Sequence, residues 1–565
     1  MNKRWAIREV PANDAISALA GELNIAPVLS TLLLQRGINN YEEARYFFRP
    51  DQRHLHDPFL MADMEQAIER IEVAIAAGEK VMIYGDYDVD GTTAVALVYS
   101  FFKNHHTNIE YYIPDRYKEG YGISTQGIDY AAGHGFTLII ALDCGIKSVD
   151  KIAYANERGI DFIICDHHTP GDELPDAVAV LDPKRTDCSY PFKELSGCGI
   201  GFKLIQAYAE KNGLPFEDVS RYFDLVAVSI ACDIVPIVDE NRVLAYFGLL
   251  KLNNDPCMGL KTLMGVAGKS ISYTIADIVF LLGPRINAAG RIDDAKHAVE
   301  LLISCDEDAA KEKGELINIK NTERKSHDLQ ITDEAMEMIG SDQLLINRKS
   351  TVVFNENWHK GVIGIVASRL TEKYYRPTVV LTRSNGHVAG SARSVLGYDL
   401  YEALCGCSDL LIQFGGHKYA AGLTMHPENI DAFIDKFEEV VSNTITDEQL
   451  IQQIQIDTEL RLTDIDAKFF RILNQFAPFG PENMAPVFLT KNVYVSGNPV
   501  LVGANHIKMT VMQEGSALFD CIAFNQGEQL AQIKKDVPFD ICYAIEENVW
   551  RDKRSIQLNV KGIKW

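Results

Sequence analysis

Between residues 61 and 240, short apolar runs alternate with longer segments whose apolar positions recur at helical spacing. Val81-Met82-Ile83-Tyr84, Leu138 to Leu142 and Phe162 to Cys165 read as strands, and Met64 to Ala77 and Thr92 to Lys103 read as helices. This alternation predicts a parallel α/β sheet. Residues 270 to 340 are helical and charged, including Asp306 to Lys325, and predict a connector. A second α/β unit follows at 349 to 440, with strands Ser350 to Phe354 and Thr378 to Leu381 and a helix from Val362 to Lys373. From 451 onward, short strands separated by Gly and Asn dominate: Val487 to Leu489, Val493 to Val495, Ile507 to Val511, Cys521 to Phe524 and Ile556 to Val560. Such a succession predicts a small barrel, with an OB-fold the natural candidate. Residues 1 to 60 read as a helical lead-in, with Tyr41 to Phe48 before Pro50. The predicted class is therefore α/β: a parallel-sheet domain and a smaller α/β domain, joined by a helical connector, plus a C-terminal OB-like β-barrel. The predicted divisions are 1–60, 61–265, 266–345, 346–445 and 446–565.

Composition changes this picture little. Hydrophobic content of 47% and charged content of 24% are ordinary globular values, and 565 residues suit several domains. The 11 cysteines have no regular spacing, and Cys405 and Cys407 lack a nearby Cys/His pair that would complete a zinc site. Reduced thiols and a cytoplasmic location are expected. The opening residues lack an apolar core, so no signal peptide is expected. No apolar run is long enough to span a membrane. Net charge is −23, which argues mildly against a nucleic-acid partner. The acid excess lies mostly before residue ~345, and the last ~80 residues are near neutral, with basic clusters at Lys534-Lys535 and Arg551-Asp552-Lys553-Arg554. A local basic groove or bound cations can still hold phosphates.

The candidate chemistry sits at strand ends. One run enters Gly85-Asp86-Tyr87-Asp88-Val89-Asp90-Gly91, another enters Asp143-Cys144-Gly145, and a third enters Asp166-His167-His168. Ligands of parallel sheets bind outside the carboxyl ends of strands. Carboxylates gathered there repel one another unless cations neutralise them, and carboxylate with imidazole suits Mn or Mg. Taken singly, Asp86 to Asp90 also fits an Asx-rich turn with a helix cap, and paired histidines are common on surfaces. Asp233, closing the apolar run Leu225 to Cys232, is a fourth candidate; a solvated helix end is the alternative. Cys144, Cys165 and Cys232 read as small packing residues. Two-metal sites lower the pKa of water and clamp the attacking and leaving oxygens of a phosphoester.

In this order, Asp88-x-Asp90-Gly91, Asp143, Asp166-His167-His168 and Asp233 resemble the DHH phosphoesterase superfamily and, within it, the bacterial single-strand-specific 5′→3′ DNA exonucleases. Ile113 to Arg116, Gly197 to Leu204, Pro284 to Arg291, Trp358 to Arg369 and Gly415 to Gly422 add to the likeness, the last resembling the signature of the DHH-associated domain. The likeness spans about 60 to 565 and labels 61–265 as the DHH domain and 346–445 as the DHH-associated domain. It implies that Asp88, Asp90, Asp143, His167 and Asp233 ligate two divalent cations, Mn or Mg, with His168 assisting. Asp86 would bind metal directly or orient a ligand. Arg116, Ser391 and Arg393 would form a 5′-phosphate pocket, Arg285 or Arg291 would contact the DNA backbone, and His417 would face the scissile region. Apart from the likeness, Ser391 and Arg393 in a Gly-bearing turn suit an anion through forked, charge-assisted donors. Cys198 and Gly201 stand where the family leads one to expect alanine.

The implied activity is hydrolysis of single-stranded DNA from its 5′ end to 5′-mononucleotides, in recombination and repair. The implied partners are single-stranded DNA, a single-strand-binding protein and a helicase, with no membrane. Tyr494, Phe519 and Phe524 are candidates for base stacking, although barrel core is the commoner role of such aromatics. Two other readings compete: a small-substrate phosphoesterase acting on oligoribonucleotides or pyrophosphate, and a non-catalytic replication scaffold. The connector and barrel favour a polymeric substrate. Retention of every motif acid and both histidines disfavours the scaffold.

Overall fold

The computed structural model describes residues 3–269, 271–292, 294–550 and 553–565. Arg551 and Asp552 of the C-terminal basic cluster lie outside the described residues. The chain forms two compact units, Ile7–Ile319 with Ile456–Trp565, and Met1–Ala6 with Lys320–Gln455.

The first unit holds an all-parallel sheet of five strands: β1 (Lys80–Gly85), β2 (Ile109–Tyr112), β3 (Phe136–Leu142), β4 (Asp161–Cys165) and β5 (Ala179–Leu181). Their order across the sheet is β2-β1-β3-β4-β5. Alternate residues feed two separate cores. Val81, Ile83, Leu138 and Ile140 enter one, and Met82, Tyr84, Ile139 and Ala141 enter the other. Apolar residues at both parities are what a sheet covered on both faces requires. Three helices matter for the site: α1 (Val89–Lys103), α2 (Gly197–Lys211) and α3 (Phe223–Cys232). All three are buried over most of their length. Gly201 of α2 lets α1 approach, since a Cβ there would lie 3.0 Å from Val98 Cγ2. Cys198 is fully buried beside it, so both departures from alanine are packing adjustments.

The barrel also belongs to this unit. Its strands are β11 (Phe488–Val502), β12 (His506–Met512), β13 (Phe519–Ala523), β14 (Phe539–Trp550) and β15 (Lys553–Lys564), in the order β11-β12-β13-β15-β14. Pairing of β14 with β11 closes the ring, as an OB-fold requires. The sequence splits β11 into two strands; the structure makes it one. Its register shifts between Thr490 and Val493, where Asn492 takes φ 55°, and this bend lets one strand serve two partners. Phe519 is buried in the barrel core, whereas Tyr494 and Phe524 are 37% and 50% exposed, so of the three stacking candidates Phe519 is withdrawn. The lead-in is not wholly helical: it begins with a strand, Arg4–Ile7. The helices that follow bury Leu19, Leu29, Leu32 and Leu33 in the barrel's core. Among the described residues, no single helix is long and apolar enough to cross a membrane.

The second unit is a mixed sheet of β6 (Thr351–Phe354), β7 (Thr378–Ser384), β8 (His387–Arg393), β9 (Leu411–His417) and β10 (Ala420–Met425), ordered β9-β10-β8-β7-β6. Only β6 and β7 pair in parallel. Helix α4 (Ile363–Tyr374) packs on it.

Candidate metal centre

The loops after β1, β3 and β4 bring three sets of polar side chains to one edge of the parallel sheet, and the end of α3 adds Asp233. Asp88 caps α1, its Oδ1 accepting from the Gly91 amide at 3.0 Å. The sequence places the start of this helix near Thr92. The Asp88 cap moves it to Val89 and puts Asp90 in the first turn. Gly91 is required there, because a Cβ would meet the Asp86 carbonyl oxygen at 2.4 Å.

Asp90 is held most firmly. Its carboxylate accepts from the amides of Gly197 (2.6 Å) and Cys198 (2.7 Å), and from Ser229 Oγ (2.7 Å). Those amides open α2, so a helix N-terminus seats the anion. Gly197 also clears space for Asp143, whose Cβ would lie 2.6 Å from a Cβ at 197. Asp143 itself takes φ 59°, a strained setting for a residue with a side chain. Its amide donates to the Cys165 carbonyl at 2.9 Å, tying the end of β3 to β4.

His167 lies among the acids. Its Nε2 is 3.1 Å from Asp143 Oδ1, 3.6 Å from Asp233 Oδ2 and 3.7 Å from Asp90 Oδ2. Both of its ring nitrogens are buried without a hydrogen bond, as are both carboxylate oxygens of Asp86. Asp166 has a different task. It accepts from the amides of Ile146, His167 and His168 at 2.9, 2.7 and 3.1 Å, and pairs with His168 Nδ1 at 2.7 Å. On the far side of that ring, His168 Nε2 meets the Tyr121 hydroxyl at 3.2 Å, and this hydroxyl also reaches the Asp143 carbonyl at 3.3 Å. With His168 protonated, each of these contacts has one donor and one acceptor.

The charges show the cost of this gathering. Burial, then the charges of Asp90, Asp88 and Asp233, raise Asp143 well above the carboxylate range. Burial and Asp88 raise Asp86, and burial and Asp90 raise Asp88. Burial with Asp90 and Asp88 lifts Asp233 to about 8. Burial lowers His167. Burial opposes the Asp166–His168 pair but loses to their hydrogen bond, which holds Asp166 at about 2 and His168 at about 8. Orphaned imidazole nitrogens beside carboxylates that resist ionisation fit a bound cation, and oxygen donors with one imidazole fit Mn or Mg. Ligating atoms of Asp90, His167 and Asp233 lie within 4.8 Å of one another, as do those of Asp86, Asp88 and Asp143, and those of Asp143, His167 and His168.

The remaining sequence candidates divide between the two units. Arg116, in the same unit, stacks on Tyr87 with its Cζ 4.8 Å from the ring centroid. Arg291 is half-buried, and its carbonyl accepts from the Tyr117 hydroxyl at 2.5 Å. Arg285 is 8% exposed, and its guanidinium donates to the Leu281 carbonyl (2.6 Å) and Asn318 Oδ1 (3.1 Å). These internal contacts anchor the guanidinium within the unit. Ser391, Arg393 and His417 belong to the other unit. Arg393 Nη1 donates to Ser391 Oγ at 3.2 Å, and both side chains border the first turn of α4 at Gly364. A Cβ at 364 would lie 3.0 Å from Ser391 Oγ and 3.1 Å from Arg393 Nη2. His417 is exposed at the end of β9.

Three family models match the chain: the DHH family N-terminal domain at residues 80–230, the DHHA1 domain at 347–443 and the RecJ OB domain at 456–562. The single-stranded-DNA-specific exonuclease RecJ of Bacillus subtilis is 39% identical over 99% of this chain and 70% of its own length. The chain belongs to the RecJ family. RecJ of Thermus thermophilus, solved with Mn2+, superposes with a TM-score of 0.85 at 24% identity, over 100% of this chain and 79% of that one. A manganese-bound exonuclease RecJ gives 0.60 at 30% identity, over 69% and 96%.

In this RecJ frame, the strand-end acids fall within the DHH match, and Ser391, Arg393 and His417 within the DHHA1 match. Sequence reasoning missed two residues, Tyr121 and Asp182, and the role of a third. Tyr121 is signalled by the glycines at 120 and 122, which take φ 90° and 78° and present the ring between them. Asp182 follows β5 as the other acids follow their strands. It is fully buried with Oδ2 unpartnered, and burial raises it to about 7. Asp166 was visible in the motif, but its grip on His168 was not.

Proposed function

We propose that the chain is a metal-dependent exonuclease that hydrolyses single-stranded DNA from its 5′ end to 5′-mononucleotides. The observation that carries this is the buried His167 ring with both nitrogens unpartnered among the carboxylates of Asp143, Asp233 and Asp90. Membership of a family whose named members are single-stranded-DNA-specific exonucleases supports the substrate class. Asp88, Asp90, Asp143, His167 and Asp233 would hold two divalent cations, Mn or Mg, with Asp86 within reach of the same set. Manganese in the 30%-identical relative supports that choice. Bound cations supply a lowered water pKa and charge neutralisation at the attacking and leaving oxygens.

The chain's own side chains do the rest. The α2 N-terminus fixes Asp90. Asp166 fixes Nδ1 of His168, leaving Nε2 beside Tyr121 as the nitrogen at which a proton is held or moved. Ser391 with Arg393 beside Gly364, and Arg116 on Tyr87, would be the 5′-phosphate ligands, Arg285 or Arg291 would contact the DNA backbone, and His417 would be a further DNA contact. Exposed Tyr494 and Phe524 would give the barrel a stacking surface. Within this reading we keep the five-part division at 60, 265, 345 and 445, a cytoplasmic location, a role in recombination and repair, and supply of substrate by a helicase and a single-strand-binding protein.

The test is a matched digestion with Mn, Mg or EDTA of 5′-phosphorylated single-stranded DNA labelled at its 3′ end, the same oligonucleotide as duplex, and pyrophosphate. Metal-dependent release of mononucleotides from the 5′ end, with the duplex spared, is expected. Rapid pyrophosphate hydrolysis with intact DNA would move the chain to small substrates.

A further inference from the structure

We infer that residues 475–483, at the foot of the barrel, position Asp233; the inference rests on the reading of Asp233 as a metal ligand given above. Like Asp86, whose carboxylate oxygens are unpartnered, Asp233 lacks the direct support that Asp90 has. Asp90 accepts three hydrogen bonds. Among the described residues, the Asp233 side chain has no hydrogen-bond donor, only the ion-pair approach of His167 at 3.6 Å. Its location is therefore set through the backbone. On one side that backbone is α3, where the Asp233 amide donates to the Ser229 carbonyl at 2.9 Å. On the other side is a loop held in an unfavourable shape.

Ile234 takes φ 60°, a rare setting for a β-branched residue, and is 63% exposed, so its own side chain does not stabilise it there. Asp239, where the loop ends, takes φ 46°. Strain of this kind persists only where the surroundings over-determine it. Here the surroundings include residues 475–483, together with Asn241 and with His56, whose Nε2 lies 2.9 Å from Asp239 Oδ1. The Ile237 amide donates to the Pro481 carbonyl at 2.8 Å. Gly480 lies so close that a Cβ would fall 2.5 Å from Ile237 Cγ1. Asn241 Nδ2 secures the Pro236 carbonyl at 3.0 Å.

The grip is itself rigid. Arg242, 4% exposed, donates to the carbonyls of Phe476 (2.9 Å), Ala477 (3.0 Å) and Gln475 (3.3 Å). Asn483 Nδ2 spans the carbonyls of Phe476 and Pro478, both at 2.8 Å, and Asn483 Oδ1 accepts from Arg36 Nε at 2.8 Å. A continuous set of contacts thus runs from the barrel side of the unit through Gly480 and Ile237 to the acid. Gly480 and Ile237 are positioning residues, remote from substrate, and they make the geometry of the metal cluster depend on a segment more than 240 residues away in sequence.

The test is calorimetric titration of Mn2+ alone, without DNA, into the full chain. Gly480→Val should weaken binding roughly tenfold or more, the scale on which residues that orient a metal ligand act. Asp233→Asn should weaken it at least as much. The double variant should bind no worse than Asp233→Asn, because the two substitutions act on one ligand. Ile237→Ala, which only removes the contact, should weaken binding severalfold with the thermal transition retained, and it carries the test if Gly480→Val does not fold. With DNA, kcat should fall while KM holds. Parent-like Mn2+ binding in the variants at 480 or 237, or losses that add to that of Asp233→Asn, would overturn the inference alone. Parent-like binding in Asp233→Asn itself would overturn the metal reading and the inference with it.

Discussion

The two α/β sheets deliver side chains in different ways. In the all-parallel sheet every strand ends on the same edge, so the residues after β1, β3, β4 and β5 converge, and four loops place acids there. In the mixed sheet β8 runs antiparallel to both neighbours, pairing Ser391 with Gly422 and Val380, and Arg393 with Ala420 and Thr378. Its polar residues form a patch along a strand beside the first turn of α4, not a focus. The first geometry concentrates charge until it resists ionisation. The second spreads donors around a small space. One suits cations, the other an anion.

Removing a member of the focus should have the largest effect. Asp143→Ala or His167→Ala is expected to abolish turnover in a nuclease assay while the circular dichroism spectrum stays that of a folded chain. Retained Mn-dependent activity in either would break the assignment of that residue. The patch should respond more mildly. Arg393→Ala removes one charge-assisted contact, so preference for 5′-phosphorylated over 5′-hydroxyl DNA should fall roughly tenfold, with maximal rate little changed. An unchanged preference would take Arg393 out of the pocket.

The smallest effect concerns stability. Asp233 is raised to about 8 in the folded chain, and Asp143 is raised as well. A carboxyl with a raised folded pKa contributes stability that is full below its unfolded pKa, near 4, and is lost as pH rises through the folded value. His168, raised to about 8, works in the same direction from 6.5 upward. The metal-free chain should therefore melt lower at pH 8.5 than at pH 5.5. Mn2+ should raise the transition by more degrees at pH 8.5, where the acids it neutralises are ionised. Scanning calorimetry with EDTA and with Mn2+ measures both; a metal-free transition that rises with pH would contradict the electrostatics.

The contrast also explains what could be read from sequence. Strand-end acids were legible because a parallel sheet converts a one-dimensional pattern, an apolar run followed by an acid, into a shared edge. Asp182 obeys the same rule, but it follows a strand of only three residues, too short to stand out as an apolar run. The seat of Asp90 was not legible, since its donors lie 107, 108 and 139 residues away. Nor was the clamp on Ile237, for the same reason. In the barrel, side-chain parity decides: Val493 and Val495 are buried and Tyr494 between them is not, as alternation along a strand dictates. For Arg285 the expectation came from the family likeness alone; the contacts of its guanidinium with Leu281 and Asn318 show only in the structure.

The most direct test of the central claim is a crystal structure of the chain soaked in Mn2+, with anomalous differences collected at the manganese edge. The account predicts two peaks, bounded by Asp88, Asp90, Asp143, His167 and Asp233. Peaks elsewhere, or none at this cluster under conditions that support turnover, would contradict it.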